Sequence, residues 1–472
     1  MKHNLFVLLP EILLILGAFI LQIMAVTRIK DNVPSRFGPL LIIGSISMMI
    51  KIYMGSSFVA FSGSYVQNDY TLVSKIFIFT MAALVMLNYV GYNSSINKNL
   101  STEYIVLILL SCVGSSIAVS ARDFLVLFVG LELQSICSYI MSAFNRDNKL
   151  SSEAGLKYFI LGALSSCIML FGISFIYGFT GSISYSVFKI AILTGGLNIG
   201  LTIGVVFLIA GLLFKISIVP FHMWTPDVYE GSPLMSVSFF SSAQKFGVLS
   251  TIVLLFSECL APASDAMMDA ITILAILSII VGSVGAIKQK SIKRMMAYST
   301  ILNMGYVIIP FSAISAPGME VAMKYMVIYG MSNIALFSVL SSSLGGAADY
   351  CQIRDLSGLA HTKKVAAVAI TVVMFSMIGM PPFAGFWGKY YILYYALQSQ
   401  LYILASFVVI GSIISAYYYL NVVRTMYFSE VPESEAQNKP NPPLLIAMII
   451  SVGFVLFYIT LPSVVTHIPL IK

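Results

Sequence analysis

Long apolar stretches follow one another along almost the whole chain, separated by short polar loops. A helix needs about 20 apolar residues to span the hydrocarbon core of a bilayer. Fourteen windows of that kind lie near residues 4–26, 37–56, 71–92, 103–120, 123–143, 154–178, 198–222, 233–257, 268–287, 293–312, 319–344, 365–392, 400–425 and 442–463. The longest polar stretches, at 179–197, 346–364 and 426–441, are too short for a soluble domain. The pattern predicts an all-α polytopic membrane protein with about 14 transmembrane helices.

Five ionisable side chains fall within these apolar windows, where charge is strongly disfavoured. They are Glu132, Lys157, Lys215, Lys245 and Lys389. Each charge at a helix centre costs about 2.5–3.5 kcal/mol on insertion scales, so a set of such residues indicates a polar or proton pathway. A buried lysine can release a proton and regain it beside a carboxylate, whereas arginine stays protonated. We therefore predict that Glu132 controls the protonation of Lys215 and that Lys245 relays protons to Lys389.

Structural explanations compete with this hypothesis. Lys215 or Lys245 could be an ion-pair partner that only stabilises Glu132, and Lys157, nearer a helix end, could extend its ammonium group to the membrane surface. His222 could carry protons, because free histidine ionises near neutral pH, or it could be an interfacial residue. Three further lysines lie close to span ends and are given the structural explanation: Lys51, Lys75 and Lys324.

Two blocks of the sequence share a local pattern. Residues 155–162 read GLKYFILG and residues 322–330 read AMKYMVIYG, so each block places Lys-Tyr near the start of a predicted helix. The following helix is interrupted by Pro220 in one block and by Pro381 and Pro382 in the other, with Phe and Trp close behind. Proline breaks a helix, and irregular backbone at membrane depth needs protein or water to satisfy it. The pattern predicts two inverted five-helix repeats, helices 4–8 and 9–13, with helices 7 and 12 broken.

Each proline alone could be a packing kink, but the nearby Lys215 and Lys389 favour a functional break. The predicted organisation has four parts. They are an N-terminal three-helix segment at 1–102, a first repeat at 103–258, a second, inverted repeat at 266–426 and a C-terminal helix at 440–472.

Basic residues are distributed unequally between the loops on the two sides of the membrane. Fifteen lie in the loops after odd-numbered helices: Arg28, Lys30, Arg36, Lys98, Arg146, Lys149, Lys288, Lys290, Lys293, Arg294, Arg354, Lys363, Lys364, Arg424 and Lys439. Four lie in the other loops and the termini: Lys2, Arg122, Lys189 and Lys472. The positive-inside rule then places both termini outside. The net charge of +7 is explained by these basic loops, whose location relates to topology, and it does not indicate nucleic-acid binding.

Motifs for a cofactor or a metal are missing from the sequence. The five cysteines form no CxxC pair and no ligand cluster: Cys112, Cys137, Cys167, Cys259 and Cys351. Four of them fall in or beside predicted helices, where cysteine is commonly a small apolar residue. Neither a G-x-G-x-x-G pattern nor a P-loop is found. We therefore expect no metal, nucleotide, haem or iron–sulfur cluster on this chain.

Three motifs resemble a known family. Residues 214–231 read FKISIVPFHMWTPDVYEG, residues 293–300 read KRMMAYST and residues 379–389 read GMPPFAGFWGK. The first is similar to the signature of the N-subunit family of bacterial respiratory complex I, whose mitochondrial member is subunit 2. The others resemble that family's helix 10 and helix 12 motifs. Asn303 stands in helix 10, where some relatives have histidine.

The resemblance implies a proton-translocating, antiporter-like subunit in the membrane arm of NADH:quinone oxidoreductase, coupled to quinone reduction elsewhere in the complex. The family's functional glutamate of helix 5 falls on Glu132. Its lysines of helices 6, 7, 8 and 12 fall on Lys157, Lys215, Lys245 and Lys389. Flavin, iron–sulfur clusters, NADH and quinone are expected on other subunits, so the chain would belong to an enzyme without holding a redox centre.

The expected partners are other membrane-arm subunits and membrane lipids. The expected location is an energy-transducing membrane, the bacterial inner membrane, with both termini on the periplasmic side. Two alternatives remain open from the sequence: a subunit of a multisubunit cation/proton antiporter, and a passive assembly scaffold. A sodium site would be expected to need more buried oxygen ligands than one central glutamate supplies.

Overall fold

The structure of the protein is a computed structural model that describes residues 2–27, 34–95, 101–263, 265–313, 315–430 and 441–460. These residues form α-helices and one short β-hairpin. In chain order the helices and strands are α1 (Lys2–Val7), α2 (Leu9–Val26), α3 (Pro34–Tyr53), β1 (Phe58–Ala60), β2 (Tyr65–Gln67), α4 (Asp69–Ser95), α5 (Thr102–Ser120), α6 (Phe124–Ser142), α7 (Lys149–Thr180), α8 (Tyr185–Gly195), α9 (Ile199–Ile216), α10 (Trp224–Gly231), α11 (Leu234–Phe239), α12 (Lys245–Leu255), α13 (Asp265–Ala286), α14 (Ile292–Ile308), α15 (Ala316–Leu344), α16 (Leu359–Thr362), α17 (Lys364–Ile378), α18 (Ala384–Gln398), α19 (Tyr402–Phe428) and α20 (Pro442–Phe457).

Within the described chain, 11 helices are long and apolar enough to cross a membrane. All fourteen predicted windows contain a helix, which confirms the all-α polytopic fold. Three windows hold only shorter helices: α14 has 17 residues, α20 has 16, and the twelfth window is divided between α17 and α18. The count of fourteen spans, the inverted repeats and the four-part division therefore remain predictions. Residue 440 and residues 461–472 of the predicted C-terminal segment lie outside the described residues.

Both predicted helix breaks are confirmed. α9 ends at Ile216, and Ser217 adopts a left-handed conformation with φ 68°; α17 ends at Ile378, and Gly379 adopts φ 94°. In each case the backbone N–H of the left-handed residue returns to carbonyl oxygens of the last helical turn, which closes the helix. A second helix starts a few residues later, at Trp224 in the first break and at Ala384 in the second.

Close helix packing sets the position of α9. A Cβ atom on Gly172 of α7 would lie 2.6 Å from the carbonyl oxygen of Gly204 on α9, so the two backbones approach too closely for any side chain. Small residues permit such contacts between membrane helices. α7 also packs against α6. It therefore holds the helix that carries Glu132 beside the helix that carries Lys215.

Three elements lie where the sequence predicted polar connections or no structure. α8 falls in the polar stretch 179–197, yet it buries Tyr185, Phe188 and Ile192 at helical spacing. α10 occupies the short connection between the predicted windows 198–222 and 233–257, and it packs against α7 and α14. The hairpin of β1 and β2 connects α3 to α4.

A π-helical segment, Phe240–Gln244, joins α11 to α12, and a second one, Phe256–Leu260, follows α12. Lys245 is the first residue after the earlier segment. Every residue of α12 is buried. π-helical turns are rare in proteins as a whole, and those that occur often lie at functional sites.

Candidate functional site

Glu132 and Lys215 form an ion pair between α6 and α9. The Lys215 Nζ lies 3.3 Å from the Glu132 Oε1, and the side chains are 6% and 22% exposed. Lys215 also donates to the Ser135 hydroxyl at 2.6 Å, and the Ser166 hydroxyl donates to the Glu132 carboxylate. The structure thus brings the predicted pair together. Because serine hydroxyls contact both members, the ammonium and the carboxylate each keep a polar partner if the other changes charge.

Lys245 points back to the first helix break. Its Nζ donates to the Ser217 hydroxyl at 2.6 Å, and Thr225 donates to the same hydroxyl at 2.7 Å. The ammonium also lies 5.2 Å from the centroid of the Trp224 ring, a cation–π distance. Ser217 caps α9 two residues beyond Lys215, so the backbone break brings the environments of the two lysines next to each other.

Two glutamine side chains tie α12 to the first half of the bundle. The Gln134 Nε2 donates to the Gln244 carbonyl oxygen at 2.9 Å, and the Gln244 Nε2 donates to the Tyr158 hydroxyl at 2.9 Å. Tyr158 in turn stacks on Trp224, with ring centroids 4.4 Å apart. These contacts fix the residue before Lys245 and the ring beside its ammonium group.

Lys389 occupies the second break. Its Nζ donates to the carbonyl oxygen of Ile378, the last residue of α17, at 2.9 Å, and it lies 5.5 Å from the Tyr306 ring centroid. No carboxylate of the described chain forms an ion pair with it. A cation at this place is stabilised by the partial negative charge at the C-terminal end of a helix.

A chain of polar side chains from α15, α14 and α19 lies beside Lys389. The Tyr325 hydroxyl donates to the Asn303 Oδ1 at 2.5 Å, and the Asn303 Nδ2 lies 3.3 Å from the Ser299 hydroxyl, which bonds Tyr419. Tyr325 and Asn303 also line a small cavity with Lys389. Sequence reasoning gave these residues no role, because tyrosine and asparagine carry no charge that would mark them in an apolar window. The four-residue spacing of Ser299 and Asn303 on α14 was the available signal.

Lys157 is placed differently from the other predicted residues. Its side chain is 41% exposed and forms ion pairs with Glu153 at 2.8 Å and Asp227 at 2.7 Å. Arg294 joins the network, at 3.0 Å from Asp227 and 2.7 Å from Glu230. The five charges connect α7, α10 and α14 at the surface of the protein. The structure therefore does not bring Lys157 into the buried cluster around Lys215.

His222 lies in the first break, between Pro220 and α10. Its Nδ1 is buried and has no hydrogen-bond partner among the described residues. The neighbouring Met223 is 75% exposed. The position at the rim of the break is compatible with both roles considered for this residue.

The part of the chain that the structure describes contains no group of three or more histidine, cysteine, aspartate or glutamate side chains able to hold a metal ion. The cysteines are free, and all but Cys167 are buried. The absence of cofactors from this chain remains a prediction.

Comparison with known proteins gives a consistent result. Residues 121–415 match the model of the family described as NADH:quinone oxidoreductase/Mrp antiporter, transmembrane. The chain is 41% identical over 469 residues to the NADH-quinone oxidoreductase subunit N of Rickettsia bellii, a match that covers 95% of this chain and 98% of the relative.

Among solved structures, a chain of respiratory complex I from Thermus thermophilus matches with a TM-score of 0.82 and 26% identity, covering 98% of this chain and all of that one. A chain of the Mrp complex from Dietzia sp. matches with a TM-score of 0.80 and 17% identity, covering 97% of this chain and 96% of that one. At 17% identity the second likeness concerns the fold alone.

Broken helices around buried ionisable side chains are typical of membrane proteins that move ions. The chain belongs to the NADH:quinone oxidoreductase/Mrp antiporter membrane-subunit family, on the side of that family formed by the N subunits of NADH-quinone oxidoreductase.

Proposed function

We propose that this chain is the proton-translocating, antiporter-like N subunit of NADH:quinone oxidoreductase and that Glu132, Lys215, Lys245 and Lys389 carry its protons. The observation that carries the proposal is the ion pair between Glu132 and Lys215 at a broken helix. Both groups can change protonation state, and both are held by hydroxyls that can act as donor or acceptor.

In this mechanism Glu132 acts as the switch. A charged Glu132 favours a protonated Lys215, because opposite charges favour the ionised forms of both groups. Protonation of Glu132 removes that attraction, and Lys215 can then release its proton toward the break. Ser217 and Lys245 are the next polar groups along the structure, at hydrogen-bond distance from each other.

Lys389 is the terminal lysine of the proposed route in the second half of the chain. The polar residues from Tyr325 to Tyr419 supply hydroxyl and amide groups beside it. Lys157, in the surface network with Asp227 and Arg294, would act at the entrance by exchanging protons with water. His222 would act as an accessory carrier at the rim of the first break.

The surroundings of the chain are part of the proposal. Other subunits of the same multisubunit complex would hold flavin, iron–sulfur clusters, NADH and quinone, and this chain would contact its membrane-arm subunits and lipids. We propose the bacterial inner membrane as its location, with both termini on the periplasmic side, from the distribution of basic residues.

The test compares Glu132→Gln with Asp147→Asn in membrane vesicles that contain the assembled complex. Asp147 is an exposed loop carboxylate, so its substitution is a matched control for the chemical change. We expect Glu132→Gln to reduce the protons moved per NADH oxidised and Asp147→Asn to leave that ratio unchanged. Normal pumping by Glu132→Gln would refute the proton route.

Two further measurements distinguish the alternatives. Sodium-dependent proton exchange by the isolated chain would support a cation/proton antiporter subunit instead. If substitution of every proposed proton carrier left pumping intact while deletion of the chain prevented assembly, the chain would be a scaffold. Co-purification with NADH-oxidising subunits is the expected result.

A further inference from the structure

A second buried ion pair lies in the N-terminal helices, outside the region that matches the family model. The Lys75 Nζ on α4 lies 2.8 Å from the Glu11 Oε1 on α2, and the two side chains are 0% and 2% exposed. A buried ion pair contributes little to stability, because desolvation of both charges offsets their attraction. Ionisable residues inside a membrane segment are functional candidates for that reason.

The hydrogen bonds of Lys75 are complete. Its three N–H groups donate to Glu11, to the Tyr65 hydroxyl at 2.7 Å and to the Gln67 Oε1 at 2.7 Å. Tyr65 and Gln67 belong to β2, so the hairpin between α3 and α4 covers the pair. Two of these three acceptors do not depend on the charge of Glu11.

The hydrogen bonds of Glu11 are unequal between its two oxygens. The Oε1 accepts from Lys75, from Ser116 at 2.5 Å and from Tyr65 at 3.0 Å. The Oε2 is buried and accepts no hydrogen bond from any described residue, and the Gln67 Nε2 is also without a partner there. A proton can therefore form an O–H bond at Oε2 without displacing an existing donor.

The pair lies close to one end of three helices. Glu11 is in the first turn of α2, Lys75 is in the second turn of α4, and Ser116 is in the last turns of α5. The distribution of basic residues predicts that these helix ends face the outside. Protons that cross toward the periplasm would leave at this side.

The pair is also near the proposed route. A Cβ on Gly247, two residues beyond Lys245, would lie 3.1 Å from the Cβ of Ser115 on α5. The next residue, Ser116, bonds Glu11. A second contact joins α4 to α12, where the Tyr70 hydroxyl donates to the Ser250 carbonyl oxygen at 2.6 Å. The helix that carries Lys245 thus packs directly against α4, which carries Lys75, and against α5, which carries the Ser116 that bonds Glu11.

We infer that Glu11 and Lys75 form a further proton-holding site, on the release side of the membrane, that receives protons from the direction of Lys245. The inference depends on the proposed function. In uptake, an O–H bond forms at the Glu11 Oε2 as the donor's bond to the proton breaks. In release, that O–H bond breaks as the proton passes to water outside. The other titratable groups around the pair are Tyr53, Tyr65 and Arg122.

A structural role makes a different prediction from a proton-holding role. If the pair only fixes α2 to α4, then Glu11→Gln leaves a buried lysine unpaired, and the double substitution of Glu11→Gln with Lys75→Met repairs the damage by removing both charges. If Glu11 holds a transferred proton, the double variant remains defective because neither group can do so. The double variant also avoids an uncompensated charge that could prevent folding.

The experiment measures protons moved per NADH oxidised in vesicles with the assembled complex. We expect Glu11→Gln and the double variant to lose part of this ratio while NADH oxidation with an artificial acceptor stays at the wild-type level. Ser45→Ala is the matched control, because the Ser45 hydroxyl on α3 donates a buried hydrogen bond to the carbonyl oxygen of Pro10, the neighbour of Glu11 on α2. We expect this variant to leave the ratio unchanged.

Glu132→Gln is the reference that separates the two proposals. If Glu132→Gln lowers the ratio and the double variant pumps at the wild-type level, the inference about Glu11 is wrong and the proposed function stands. If Glu132→Gln itself pumps normally, the proposed function fails and this inference fails with it.

Discussion

The two helix breaks share a backbone design but hold their lysines in different ways. In each break a residue with positive φ closes the first helix and a short proline-containing segment leads to the second. At the first break, Lys215 faces the carboxylate of Glu132 at 3.3 Å. At the second, Lys389 faces a backbone carbonyl and an aromatic ring, and no carboxylate of the described residues pairs with it.

The difference concerns the partner of each lysine and whether that partner can change its charge. Before desolvation is counted, two unit charges at the Glu132–Lys215 distance attract by about 5 kcal/mol at an effective dielectric constant of about 20, and desolvation of both charges offsets much of that attraction. A helix C-terminus contributes about 0.3–1 kcal/mol to a nearby cation, and up to about 2 kcal/mol when partly buried. Glu132 can be neutralised by a proton, whereas the carbonyl of Ile378 cannot. The first break therefore pairs its lysine with a group that can change charge, whereas the second pairs its lysine with groups of fixed charge.

Among the substitutions that test this difference between the breaks, Lys215→Arg is expected to have the largest effect on pumping. Arginine keeps the positive charge and can pair with Glu132, but it does not release its proton under physiological conditions. We expect assembly at the wild-type level and loss of most pumping through this chain, as for Lys215→Met. The measurement is protons per NADH in vesicles, with complex content determined by NADH oxidation with an artificial acceptor. Normal pumping by Lys215→Arg would mean that a fixed charge is sufficient at the first break.

Lys389→Met tests the second break. The substitution removes the ammonium group that donates to the Ile378 carbonyl, so proton transfer through the second half should fail and pumping per assembled complex should fall strongly. Lys364→Met, at an exposed position at the start of α17, is the matched control and should pump normally. A loss of assembled complex with normal pumping in the remainder would assign Lys389 a structural role.

Ser217→Gly tests whether the hydrogen bond between Lys245 and the first break contributes to proton transfer. Glycine tolerates the left-handed conformation of this position, so the backbone is preserved while the hydroxyl that accepts from Lys245 is lost. Lys245 retains the Trp224 ring, and we therefore expect a partial loss of pumping. Gln400→Gly is the matched control, because Gln400 is also a non-glycine residue with positive φ (58°) but lies in the loop that follows α18. It should leave pumping unchanged. Full activity in Ser217→Gly would exclude this hydroxyl from the route.

Lys157→Met is expected to have the smallest effect. Exposed ion pairs contribute about 0–1 kcal/mol, and Arg294 remains bonded to both Asp227 and Glu230 after the substitution. We expect a modest decrease in pumping and little change in the melting temperature of the complex. A loss as large as that of Lys215→Met would place Lys157 in the central route despite its exposure.

Much of the fold could be predicted from the sequence, because a bilayer limits a chain to a few solutions. Each apolar window contains a helix, and the prolines marked both breaks. The predicted partnership of Glu132 with Lys215 is present in the structure. These predictions succeeded because each depends on a local signal: hydrophobic length, a missing backbone donor, or a charge in an apolar stretch.

The rest depends on contacts between residues far apart in the chain. Glu11 and Lys75 are 64 positions apart, and nothing local indicates that the hairpin and α5 enclose both of them. α10 lies in the short connection between two apolar windows, where no hydrophobic length marks a helix, yet packing against α7 and α14 keeps it helical. The surface network of Lys157 was similarly invisible, since it joins three separate helices.

The π-helical segment before Lys245 has a consequence for the direction in which that lysine points. A π turn holds more residues than an α-helical turn, and each residue of an α-helix rotates the following side chains by about 100°. The π turn at Phe240–Gln244 takes up about one extra residue, so winding the same five residues as a regular α-helix would turn Lys245 away from Ser217 by about that angle. The five residues FSSAQ thus set the helical phase of everything from Lys245 to Leu255, and loss of the π turn at constant chain length would change which neighbours that helix face meets.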